Sequence, residues 1–256
     1  ARYYYSLETE EDNRKALDYY LQYIEYNPKD TDTLLHIGLI YESGLGVPLN
    51  IDLARRYYER AAEQDETGMA YNFLGGTYMN DEETENNERK AVHYFQKAIE
   101  LGNTNAMFRI SYYLHNGKGG LQVDIPREIE LLTEASKRGN HQATYRLGLL
   151  FEDNESGMAQ NLELSVKYFQ LAADNGILAA INKMGELYLF GEVIPANLTK
   201  AISCFTAASE QGYGKASYWL GRLHTDGIGQ LEKDTQKAMN YYRKAIEQGY
   251  EEAREW

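Results

Sequence analysis

Apolar residues recur along this chain at spacings of three and four, in blocks of about a dozen residues separated by glycine-bearing turns. The blocks come in pairs. Such spacing predicts amphipathic α-helices joined as short antiparallel hairpins. One block, SYWLGRLHTDGIG at residues 217 to 229, sets a glycine among helically spaced apolar residues and ends in a GxG that resembles a phosphate loop.

Both features are periodic. Gly38, Gly75, Ser111, Gly148, Gly185 and Gly221 follow one another at 36 or 37 residues, each with Tyr41, Tyr78, Leu114, Phe151, Tyr188 or His224 three positions on. In step runs a second series, Ala61, Ala98, Ala135, Ala172, Ala208 and Ala245, preceded by bulky pairs such as Tyr57-Tyr58, Tyr94-Phe95 and Tyr241-Tyr242. Four residues after each alanine stands Asp65, Gly102, Gly139, Gly176, Gly212 or Gly249, a place suited to the left-handed residue past a helix end. Six units therefore span residues 32–250, with the glycine on the first helix of each hairpin (helix A) and the alanine on the second (helix B). Small residues let the helices approach closely, which offsets the roughly 1 kcal/mol that a mid-helix glycine costs.

The GxG then reads as the turn between A and B. Its first glycine recurs as Gly44, Gly117, Gly191 and Gly227, with Asp81 and Asn154 in the same place elsewhere, the two residue types that best tolerate positive φ. A phosphate loop has no reason to recur at this period, and GKGG at 117–120 lacks the spacing and the Ser/Thr of a P-loop.

Composition narrows the partners. The 256-residue chain is 43% hydrophobic, enough for a folded core, and its 23 Tyr against 7 Phe suggest half-buried rings whose hydroxyls meet water. A net charge of −13 without any basic run argues against nucleic acid and anionic membranes. No apolar stretch reaches membrane-spanning length and no signal peptide opens the chain, so a soluble protein is expected. The chain starts at Ala1, consistent with a processed or trimmed end, and the lone Cys204 excludes an internal disulfide framework. Bacterial cytoplasm, periplasm and secretion all fit.

TLLHIGLIYESGLGVPLNIDLARRYYERAAEQ, from Thr33, resembles the Sel1-like repeat, as do the stretches from Ala180 and Ala216. KALDYYLQYIEYNPKD, from Lys15, resembles instead the second helix of a tetratricopeptide repeat, with Pro28 where that family ends its unit. The resemblance implies an all-α fold, a right-handed superhelical solenoid of helix pairs. Its expected parts are an N-terminal tetratricopeptide-like cap (1–31), six Sel1-like repeats (32–250) and the start of a C-terminal helix or cap (251–256). It also implies a non-enzymatic adaptor or scaffold. The cysteine pairs that staple each repeat in one bacterial branch of the family are absent here, as is the Gly-rich turn from residues 80–88 (NDEETENNE) and 152–161 (EDNESGMAQN), both expected as solvated turns, with an acidic partner-binding finger as the alternative.

No cluster of chemistry-bearing residues breaks the repeat. The five histidines are scattered without zinc spacing, His224 stands where other units have an aromatic ring, and Cys204 replaces a ring of the Tyr57 column. No catalytic residue, metal site or cofactor is expected. Asn154-Glu155-Ser156 and Asn197-Leu198-Thr199 match the glycosylation pattern, as chance allows in an Asn-rich chain. Carried over from tetratricopeptide repeats, the positions six and three before the glycine and one and four after it face a concave groove. They select Asn72, Met79, Phe108, Tyr112, His115, Tyr145, Glu152, Asn182, Glu186, Tyr218 and Arg222 as a partner-binding set. Aromatic residues and Arg dominate protein interfaces, so a protein or peptide partner is expected, in a bacterial host-interaction or secretion-associated setting. The alternatives are a cell-wall glycan or peptidoglycan-fragment binder built on Tyr145 and Glu152, and a structural spacer.

Overall fold

The computed structural model describes residues 9–81, 84–153, 160–228 and 232–256. Among them the chain forms thirteen α-helices and no strand. It divides into two compact units, Ala1–Arg138 and Gly139–Trp256. The first holds α1 (Glu10–Tyr26), α2 (Thr31–Ser43), α3 (Ile51–Ala62), α4 (Met69–Met79), α5 (Glu85–Glu100), α6 (Thr104–Asn116) and α7 (Ile125–Lys137). The second holds α8 (His141–Glu152), α9 (Leu162–Asp174), α10 (Leu178–Phe190), α11 (Leu198–Glu210), α12 (Gly214–Asp226), α13 (Thr235–Glu247) and a closing 3-10 turn, Glu251–Glu255. Even-numbered helices are helix A and odd-numbered ones from α3 onward are helix B. Within each unit every helix packs on its neighbours in chain order.

The sequence marks most helix starts chemically. Ten of the thirteen helices open on a Ser/Thr/Asp/Asn-type cap, among them Asp30, Asn103, Asn140 and Asp234, whose side-chain oxygen accepts the amide three residues on. Each such bond is worth about 1 kcal/mol. Asn197 is one of these caps, accepting from the Lys200 amide at 3.0 Å, which accounts for its place in the Asn-Leu-Thr triplet. At the A-to-B turns Gly44 (φ 66°) and Gly227 (φ 65°) close their helices in the left-handed region, so the repeated GxG is architecture.

Two turns differ from expectation. Asp81 does not take positive φ: no non-glycine described residue does, because α4 runs out through Asn80 at φ −92° and the Asp81 carboxylate is held 2.7 Å from Arg55. Residues 85–88, expected in a solvated turn, are the first turn of α5, since Thr84 caps them and Glu85 and Glu88 suit the positive end of a helix. Glu82 and Glu83 of that acidic run, Asn154 to Ala159 of the other, and the second glycine of the GxG at 229 lie outside the described residues.

A ring-on-glycine wedge forms the core. A Cβ placed on Gly75 would sit 2.6 Å from the Phe95 ring, and Gly148 on Phe169, Gly185 on Phe205 and Gly221 on Tyr242 give the same 2.6 Å; Gly38 meets Tyr58 likewise. The helix-A glycine is therefore required by the helix-B ring of its own hairpin. The third repeat is the compensated exception: Ser111 replaces the glycine, and the ring position holds the smaller Leu132, fully buried. On its other side each ring meets the residue two before the next helix-A glycine. Phe73 stacks on Tyr58 (5.2 Å), Arg109 lies over Phe95 (5.9 Å), Lys183 over Phe169 (5.7 Å) and Trp219 on Phe205 (5.9 Å). Trp256 takes this place on Tyr242 at 6.1 Å. A second ladder stacks helix-A rings on helix-B rings within hairpins, as in Tyr41 on Tyr57 (5.9 Å), Phe151 on Tyr168 (5.6 Å) and His224 on Tyr241 (5.7 Å).

Candidate partner-binding site

Helix A of each hairpin presents the columns on either side of this wedge. In the C-terminal unit they converge on one carboxylate. Glu186 Oε1, on α10, accepts from Asn182 Nδ2 (2.9 Å) one turn earlier and from Trp219 Nε1 (2.9 Å) on α12, and it pairs with Lys215 Nζ (2.7 Å). Lys183, on the same helix, reaches back to Glu152 of α8 at 2.8 Å. Tyr145 packs half-buried against Phe169, and burial first, then Tyr213, Glu186 and Glu152, pushes its hydroxyl up to about 12. Tyr213 is raised for the same leading reason. Beside the cluster opens a pocket of about 460 Å³ lined by Glu152, Lys183, Glu186, Leu162, Phe190 and Val193, with Phe190 exposed at its rim.

Four of the residues selected from sequence, Tyr145, Glu152, Asn182 and Glu186, thus meet in one network. Tyr218 and Arg222 lie one helix further on. The Tyr218 ring packs on Trp219, Tyr242 and Tyr250, and the Arg222 guanidinium lies 5.8 Å from the Trp219 ring centre and 5.2 Å from that of Trp256. Arg222 Nε is buried without a hydrogen-bond partner.

The N-terminal unit is arranged differently. Asn72 is 5% exposed and Met79 and Tyr112 are exposed, with Tyr112 edge-on to Tyr113 and under Lys118. Phe108 is half-buried. His115 turns back onto its own hairpin partner, its Nδ1 lying 3.0 Å from the fully buried Glu128.

Sequence reasoning missed Arg109, Lys183 and Trp219, which occupy the column two before the glycine. That column reads His36, Phe73, Arg109, Arg146, Lys183 and Trp219, basic at four of six places in an acidic chain, which is the signal that marks it. Lys215 sits at a selected offset and was passed over. Among the described residues no group of three or more His, Cys, Asp or Glu could hold a metal ion, and no helix is long and apolar enough to cross a membrane. His224 and Cys204 are both shifted toward their neutral forms by burial.

A family model for the Sel1 repeat matches seven stretches of this chain: 1–22, 32–66, 68–103, 104–140, 141–177, 178–213 and 214–250. Protein sel-1 homolog 2 of Rattus norvegicus is 41% identical over 75 residues, 29% of this chain and 11% of that protein. The Sel1-repeat-containing protein YjcO of Escherichia coli is 33% identical over 78 residues, 30% of this chain and 34% of that protein. The matches thus span only a minor part of either relative. Among solved structures, a Sel1 repeat protein from Oxalobacter formigenes superposes with a TM-score of 0.74 at 24% identity, covering 85% of each chain. Yeast Tom70 does so at 0.53 and 12% identity, over 96% of this chain and 58% of the other. These likenesses show the fold, an all-α solenoid of helix pairs.

Proposed function

Since the chain belongs to the Sel1 repeat family, whose helix-pair scaffold is typical of protein–protein interaction, we propose that it is a non-enzymatic adaptor holding a protein or peptide partner on its helix-A face. The observation that carries this reading is the make-up of the helix-A columns. In each unit they gather Tyr, Arg and amide side chains on the helix-A side, with Met79 and Tyr112 exposed in the N-terminal unit and Phe190, the last residue of α10, exposed in the C-terminal one, while the periodic apolar residues go to the core. The Tyr and Arg among them are types that dominate binding energy at protein interfaces, and a face already ordered by stacked hairpins loses little entropy on binding. In this reading helix A takes the concave side that the tetratricopeptide resemblance implies, and a bacterial host-interaction or secretion-associated setting is part of it.

The test places a photo-crosslinking residue at Tyr112 on helix A, and in a second protein at the exposed Glu59 on helix B, in cells of the source organism. A partner joined from position 112, not from 59, and lost in a Met79→Ser, Tyr112→Ser, Phe190→Ser variant of unchanged helicity supports the adaptor. Identical products from both positions, surviving in the variant, overturn it.

A further inference from the structure

The two units carry the same donor frame around one position, and only one of them supplies the acceptor. In the C-terminal unit the frame is Asn182, Glu186 and the residue of the next helix A that stacks on the buried ring, Trp219. The corresponding residues of the N-terminal unit, by repeat register, are Asn72, Gly76 and Arg109. Arg109 lies over Phe95 as Trp219 lies on Phe205, and a Cβ on Gly76 would meet Arg109 Nη1 at 2.7 Å, so the guanidinium rests against the backbone from which a glutamate would project. Among the described residues no side chain pairs with it. Arg109 has neither hydrogen bond nor ion pair, and Asn72 makes no hydrogen bond through Nδ2, the group that Asn182 gives to Glu186; the Oδ1 of both asparagines is enclosed without a donor and does not separate the units.

That is costly for the protein alone. A chain with 39 Asp and Glu leaves this half-buried guanidinium without a carboxylate at pairing distance, and burial pulls its pKa down. Glu42 is near enough for its charge to favour the Arg109 cation, yet it is engaged by the Tyr58 hydroxyl at 2.6 Å.

We propose that Asn72 and Arg109, across the bare backbone of Gly76, form a binding site for a carboxylate of the peptide partner, in the place where Glu186 supplies one internally in the other unit. This rests on the adaptor reading. A carboxylate is favoured over a phosphate because the internal occupant of the equivalent place is a carboxylate, and because a single guanidinium near Glu42 in a chain of charge −13 disfavours a dianion. An Asp or Glu side chain and a peptide C-terminus share this chemistry.

The experiment follows the side-chain ¹⁵N–¹H resonances of Arg109 Nε and Asn72 Nδ2 in the full chain. Three capped dipeptides are titrated: Ac-Ala-Glu-NHMe for a side-chain carboxylate, Ac-Ala-Ala-OH for a terminal one, and the neutral Ac-Ala-Gln-NHMe. Saturable shifts of both resonances with either acid, absent with the neutral peptide, are expected, and the responding acid names the source. Gly76→Glu, which supplies the carboxylate in cis, weakens the response at least about tenfold, the loss of one charge-assisted hydrogen bond. Glu42→Gln strengthens it. Should Gly76→Glu not fold, Arg109→Gln removes the response still readable at Asn72 Nδ2 while keeping the bulk, and Glu186→Gly creates a second responsive site reported by Trp219 Nε1–H. No shift with either acid, an equal shift with the neutral peptide, or a response that survives both Gly76→Glu and Arg109→Gln overturns the proposal. A crosslinked partner retained in full by Gly76→Glu also sinks the carboxylate site, though the adaptor stands. Absence of a helix-A-specific partner sinks the adaptor, while the peptide titration still decides the site.

Discussion

The units Ala1–Arg138 and Gly139–Trp256 share one core device and differ in what they build on it. In both, a helix-B ring fills the space left by a helix-A glycine and carries a side chain of the next helix A on its other face. One turn beyond the asparagine of that frame the C-terminal unit places Glu186 and closes a hydrogen-bonded network, whereas the N-terminal unit places Gly76 and leaves Arg109 and Asn72 open. The lesson is that the period constrains the wedge columns and leaves the neighbouring columns free. The core device is therefore repeated along the chain, and the polar network beside it is not.

The largest effect comes from breaking what the units share. Phe95→Ala and Phe205→Ala each empty a fully buried position and should cost about 3–5 kcal/mol, read from urea unfolding followed by circular dichroism. Loss of the ring also removes the platform under Arg109 in one case and Trp219 in the other. A cost below about 1 kcal/mol in either would mean that the wedge does not organise that hairpin.

Next in size is the element that separates the units. Glu186→Ala leaves Asn182 Nδ2, Trp219 Nε1 and Lys215 without their acceptor and should destabilise by about 2–3 kcal/mol, with Trp219 fluorescence changing before unfolding begins. Glu186→Gln retains an acceptor oxygen and should cost about half as much. If alanine proves neutral, the network is an incidental surface arrangement.

Adjacent glycines offer a finer comparison inside one helix. Gly75→Ala drives a methyl into the Phe95 ring at 2.6 Å and should cost about 2 kcal/mol despite the helix propensity gained. At Gly76 the methyl meets only the tip of the Arg109 side chain, so Gly76→Ala should fall within about 0.5 kcal/mol of wild type. Equal costs at the two sites, measured by thermal unfolding, would contradict the assignment of Gly75 to the core and Gly76 to the open face.

Much of this division can be read in the sequence. The spacing of Gly38 through Gly221 marks helix A, the alanine series marks helix B, and Asp30, Asn103 or Asp234 announces a helix start because a cap is a local interaction between residues three apart. Even the exchange of glycine for Ser111 could have been matched to Leu132 by register alone. The polar network proposed as part of a binding face was less legible. Offsets borrowed from tetratricopeptide repeats found Asn182 and Glu186, yet they skipped Arg109 and Lys183, whose placement depends on the ring of the preceding hairpin rather than on their own helix. They also could not show that His115 turns toward Glu128, since an ion pair within a hairpin depends on the crossing of two helices. Asp81 was misread because Arg55, 26 residues away, determines its conformation more than its intrinsic tolerance for positive φ.

The smallest expected effect compares one tyrosine from each unit. Tyr113 and Tyr145 are both pushed up to about 12, with burial the largest cause in each. Their secondary causes differ: Glu88 and Tyr112 raise Tyr113 while Lys118 and Arg109 lower it, whereas Tyr213, Glu186 and Glu152 all raise Tyr145. Between pH about 10, where an unfolded tyrosine ionises, and about 12, the folded chain keeps protons that the unfolded chain has lost. Stability from both rings is thus fully present below that window and falls as pH rises through it. In a tyrosinate absorbance titration, Glu186→Ala should lower the Tyr145 midpoint and leave Tyr113 in place, with Tyr145→Phe and Tyr113→Phe difference spectra assigning the two signals. Glu186 stands on a half-buried network, so its charge acts on Tyr145 with little screening, and no equivalent carboxylate projects from Gly76 toward Tyr113. An equal drop at both rings would trace the shift to general loosening of the fold, and the two units would then differ in packing alone.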